Sequence, residues 1–84
     1  MKLSAKQKEV IKLMREGAAI VNRTFAVKYW VINSECDKVM YLLIKTFGPL
    51  NKSGLIQDNG LITIFGCQHR HYTLSETGKT IDIN

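Results

Sequence analysis

The chain is short of the residues that staple, break or anchor a fold. It has two cysteines and one proline in 84 residues. Two thiols make no disulfide framework, so Cys36 and Cys67 are expected to be reduced. No apolar run approaches the roughly 20 residues that a membrane helix needs. Met1, Lys2, Leu3 and Ser4 lead straight into a charged amphipathic segment with no signal-peptide apolar block, so a cytoplasmic protein with no membrane partner is expected. Catalytic signatures are missing too. There is no nucleophile elbow, no glycine-rich phosphate loop, and no carboxylate spaced to orient a Cys–His pair. Gly48 and Gly54 read as turn glycines. The expectation is no enzyme, no catalytic residue and no cofactor.

What is present suffices for one modest core. Hydrophobic residues make up 45% of the chain, which excludes disorder as the default. Repeats, low-complexity stretches and linkers do not occur, so residues 1–84 read as a single domain. A domain this small folds with little margin, and a dimer partner or ligand can contribute. Twelve Lys and Arg stand against seven acids, giving a net charge of +5. That excess favours an anionic partner such as nucleic acid. Lysines scattered for solubility would give the same sum.

Residues 4–16 carry the clearest helical pattern. Ser4 and Gln7 form an S-x-x-Q capping box, Val10, Ile11, Leu13 and Met14 make an apolar stripe, and Gly17 ends the helix. Lys6, Lys8, Lys12 and Arg15 fall on the other faces, as phosphate contacts or as a solvated surface. Residues 18–33 are β-rich, with Asn22, Arg23 and Thr24 as a turn or irregularity; a strand or loose hairpin fits. Arg23 and Lys28 are expected to be exposed there, and Trp30 to anchor the core.

The middle supports two readings. Cys36, Val39, Met40, Leu43, Ile44 and Phe47 follow helical spacing, with Ser34 as N-cap and Glu35 and Asp37 at the positive end of the dipole. Residues 39–44 are also a continuous apolar run that suits a buried strand. Pro49 fits the first turn of a short helix beginning near Gly48, or else the helices here form one kinked element. Beyond it, Gly54 reads as a helix C-cap, Asp58, Asn59 and Gly60 as the turn between two strands, and Ser75 to Lys79 as a capped terminal turn.

Three segments carry a resemblance: LSAKQKEVIKLMREG at residues 3–17, TFGPLNKSGLI at 46–56 and YTLSETGKTI at 72–81. Together they resemble small, mostly uncharacterised bacterial and phage-associated winged-helix-like proteins. The resemblance implies an α+β, winged helix-turn-helix-like fold. Its parts would be an N-terminal helix, a middle hairpin and/or helix, a short recognition-like helix, a C-terminal β-wing and a short terminal helix. It favours the strand reading of residues 39–44 and implies double-stranded DNA as partner, in regulation of a phage or mobile element. Gly48 and Pro49 depart from the helix formers expected at that point.

On that fold, a groove-inserted helix would present Lys45, Thr46, Asn51, Lys52 and Ser53, and the wing would present Gln68, His69, Arg70 and His71. Arg70 would be the leading backbone contact. Cys67, His69 and His71 alternate on one strand face, and Cys36 offers a fourth ligand. The spacing lacks the loop geometry of common zinc sites, so no metal is expected. The rival expectation is a protein-interaction module, a homodimer or a docking surface, on the same fold without DNA binding.

Overall fold

The computed structural model describes residues 3–23 and 28–83. Along the chain it has α1 (Ala5–Arg15), β1 (Ala19–Arg23), β2 (Tyr29–Ile32), β3 (Lys38–Leu42), α2 (Ile44–Lys52), β4 (Ile56–Ile64), β5 (Cys67–Leu74) and α3 (Glu76–Thr80). The five strands form one antiparallel sheet in the order β3-β2-β1-β5-β4. Phe25, Ala26, Val27 and the Thr24 part of the expected turn lie outside the described residues.

The fold is α+β, but the winged-helix expectation is corrected. A winged helix gathers its helices ahead of a small wing, whereas here strands hold more residues than helices and three of them precede α2. The cause lies in residues 33–37. Asn33 Oδ1 accepts from the backbone N–H groups of Glu35 and Asp37 at 2.9 and 3.0 Å, and the Asn33 N–H donates to the Asp37 carbonyl at 3.0 Å. An asparagine side chain that satisfies its own downstream backbone makes a turn in place of a helix start. Cys36, at φ 65, completes that turn. The run that follows therefore enters the sheet as β3, and Ser34 caps nothing. Helix α2 begins only at Ile44, with Leu43 as an N-cap that makes no side-chain bond.

Pro49 is likewise not in a first turn; it lies inside α2. Its missing N–H removes the bond that position 49 would otherwise donate to the Lys45 carbonyl, tolerable because Lys45 is exposed and water can substitute. Other local signals hold. Ser4 and Gln7 form the capping box, with bonds of 2.9 and 3.2 Å. Gly17 and Gly54 take positive φ at the ends of α1 and α2. Ser75 caps α3 by accepting from the Gly78 N–H at 3.2 Å.

The expected turn at Asp58, Asn59 and Gly60 is instead a bulge inside β4. Pairing passes from Asp58 opposite Tyr72 directly to Leu61 opposite Arg70. Asp58 Oδ1 accepts from the Gly60 N–H at 2.8 Å, and Asn59 Nδ2 donates to Thr73 Oγ1 at 2.9 Å, so turn chemistry is spent on an extra loop within the ladder. The hairpin reverses at Phe65 and Gly66, which take φ 53 and 78.

Helices α1 and α2 contribute to one core on one face of the sheet. Val10, Ile11 and Met14 of α1 and Phe47 and Leu50 of α2 bury against Ile20, Val31, Leu42, Ile56, Tyr72 and Leu74. Phe47 stacks on Tyr29 at 4.0 Å and meets Tyr72 edge-on at 4.9 Å. Fully buried Ile11, Leu50 and Leu55 each contribute about 1.5–3 kcal/mol relative to exposure. The second buried cluster, Val21, Ile32 and Ile64 with Trp30, Cys36 and Ile62 against it, contains no helical residue. It lies on the other face, where among the described residues no helix packs.

Candidate functional site

Strand alternation decides what that open face displays. Ile20, Val31 and Tyr72 point to the helices, so their neighbours Val21, Trp30, Ile32 and His71 point away. Arg23 lies opposite His69, and Trp30 opposite Tyr41. The Trp30 and Tyr41 rings meet edge to face at 5.0 Å, and the Lys38 ammonium sits 4.7 Å from the Trp30 ring centroid. Such a cation–π contact at a partly exposed ring contributes about 0.5–1 kcal/mol and fixes the cation over the face.

Between these strands is a cavity of about 350 Å³. Val21, Ile32 and Ile64 give it an apolar base, while Trp30, Phe65 and His69 supply rings. Arg23, Lys28 and Lys38 also line it, and among the described residues no carboxylate does. Cys36 and Cys67 line it as well, both as free thiols. Yet among the described residues no three His, Cys, Asp or Glu side chains gather to hold a metal ion. The cavity is therefore suited to an anion that carries a flat or apolar body.

Phe65 stands out within this lining. It is 79% exposed and occupies the first position of a two-residue turn in which both residues have positive φ. That turn prefers Asn-Gly or Asp-Gly, because a bulky side chain in the left-handed region is strained. Among the described residues, the most exposed large apolar side chain thus stands where the backbone least favours one.

The residues expected from sequence fall into separate places. Lys45, Asn51, Lys52 and Ser53 are exposed and Thr46 half-buried on α2, which packs on the opposite side of the sheet from the cavity. Ser53 Oγ turns back to donate to the Pro49 carbonyl at 2.7 Å. His69 lines the cavity, whereas His71 lines a separate, more open hollow with Gln57, Asn59 and Thr73. Gln68 and Arg70 alternate to the helix-side face. Arg70 pairs with Asp58 at 2.5 Å. A hydrogen bond from the Gly60 N–H, and then the Arg70 guanidinium, hold the Asp58 carboxyl below its ordinary range, and Asp58 in turn raises Arg70.

Sequence reasoning missed Lys38 and Phe65; Trp30, expected to anchor the core, packs half-buried against the smaller cluster on the open face. One signal was available. Tyr29, Trp30, Val31 and Ile32 are apolar on both faces of a strand, so a chain with one helical layer must leave one of those faces outward.

Comparison of the chain with family models, curated proteins and solved structures finds no match. No helix among the described residues is long and apolar enough to cross a membrane.

Proposed function

We propose that the protein binds nucleic acid across the open face of its sheet. The observation that carries this reading is the cavity on that face, which Arg23, Lys28 and Lys38 line, among the described residues without a carboxylate, over a base of apolar side chains. Guanidinium and ammonium groups neutralise phosphates, and aromatic rings beside them meet the faces of bases. The net charge of +5 adds long-range attraction for a polyanion. The test is fluorescence anisotropy of labelled oligonucleotides titrated at low and moderate salt. Binding that weakens steeply with salt supports the reading. Absence of binding at low salt refutes it.

A second reading, docking of another protein chain, has an observation of its own. Val39, Tyr41, Leu43 and Ile44 are 47, 40, 48 and 53% exposed, close together on the outer strand β3 and the start of α2. Outer strands with apolar flanks are sites of edge-to-edge pairing. Sedimentation over a range of concentrations separates the readings, since apolar docking survives salt that disrupts phosphate contacts.

A further inference from the structure

We infer that the cavity takes a single unstacked base of a single-stranded nucleic acid, with Phe65 as the ring on which that base stacks. This rests on the nucleic-acid reading and adds to it the form of the ligand and the residue that selects it.

The first argument is shape. At about 350 Å³ the cavity is near the small end of ligand-sized pockets. It has room for one nucleotide, and a paired base within a duplex cannot leave its stack to enter it without losing its pairing energy. A single strand offers bases already free to turn outward.

The second argument is Phe65. Its position carries two local penalties: 79% exposure of a large apolar ring, and a left-handed backbone at φ 53. Asparagine would relieve both, since it is polar and tolerates that region. Strained non-glycine residues of this kind persist where the side chain has a task. Phe65 lies on the wall of a cavity that combines aromatic rings with cations, so stacking is the task its chemistry fits. Every base has a π-face, which makes the contact tolerant of sequence.

The third argument is the charge around it. Lys38 is already held over one face of Trp30, and Arg23 and Lys28 line the same cavity. A nucleotide with its base against Phe65 and the apolar base of the cavity keeps its phosphate within this cationic lining.

The experiment compares a labelled oligonucleotide as a single strand and as a duplex, titrated with wild-type protein, Phe65→Asn and Phe65→Tyr, while the one tryptophan, Trp30, reports by fluorescence. We expect the single strand to bind more tightly than the duplex and to quench Trp30. Phe65→Asn should weaken single-strand binding about tenfold, the scale of one lost base–aromatic stack, while raising Tm by a few degrees as strain is released. Phe65→Tyr, which keeps the ring, should retain the affinity. The opposite signs of the stability and binding effects separate a ligand contact from a structural role. Equal binding of duplex and single strand, or unchanged affinity in Phe65→Asn, overturns this inference and leaves the nucleic-acid reading standing. No binding of either form overturns both.

Discussion

Arg15, in the last turn of α1, donates to the backbone carbonyl of Ile81 at 2.6 Å and to that of Gly78 at 3.2 Å. The two contacts tie the first helix to the last across the whole sequence. They also place a cation at the C-terminal end of α3, where unpaired carbonyls favour one. Arg15→Ala should therefore lower stability by about 1 kcal/mol, measured by urea denaturation, and leave nucleic-acid affinity unchanged because Arg15 does not line the cavity. A large loss of binding in a folded Arg15→Ala protein would contradict this assignment.

Gly78 is required for space. A β-carbon there would overlap the Leu55 carbonyl oxygen and press on Leu74 Cδ2 at 2.9 Å. The Leu55 carbonyl cannot yield cheaply, because it accepts from the Ser75 N–H at 3.1 Å. Gly78→Ala should cost about 1–3 kcal/mol through overpacking. That cost exceeds the gain alanine usually brings to a helix. Thermal denaturation that shows Gly78→Ala as stable as wild type would contradict the packing described.

Asp58 gives the fold an acid-side pH dependence. Its carboxyl titrates below the ordinary value of 3.8 in the folded chain, first because of the Gly60 N–H and then because of Arg70. A depressed carboxylate contributes stability that is present above its unfolded pKa and is lost as pH falls through the folded one. The difference in Tm between wild type and Asp58→Asn should therefore be constant near neutrality and shrink below pH of about 4. A difference in Tm that grows on acidification would reverse the assigned sign.

The cations of the cavity and those of α2 should behave differently. Substituting Arg23 or Lys38 by alanine should weaken binding for all sequences alike and reduce the slope of log K against log salt by about 0.7 per lost phosphate contact. Lys45→Ala and Lys52→Ala, on the helical layer, should leave that slope unchanged. Anisotropy titrations at several salt concentrations measure both.

The sequence made the local endings legible and the tertiary arrangement much less so. The capping box at Ser4 and Gln7, the stop at Gly17 and the Ser75 cap depend on neighbours within a few residues, and they were readable for that reason. The helical alternative starting at Ser34 fails because the Asn33 side chain competes with helix initiation in a way that spacing alone does not display. Asn59 and Gly60 looked like a hairpin turn, and their chemistry is that of a turn, but the strand continues through them because Asn59 bonds across to Thr73. The true reversal at Phe65 and Gly66 was hidden, since phenylalanine is not a turn residue. Of the candidate site, His69 was named and Arg23 and Lys28 were recognised as exposed. Their grouping with Trp30 and Lys38 depends on which strands neighbour β1, and that is set by long-range pairing.

The central claim is that the ligand lies on the open face of the sheet and not on α2. Amide and indole NMR shifts recorded while a single-stranded oligonucleotide is added test this most directly. The account predicts shifts at Arg23, Lys28, Trp30, Lys38, Phe65 and His69, with Lys45, Asn51 and Lys52 unmoved. Shifts centred on α2, with Trp30 and Phe65 unmoved, would contradict it.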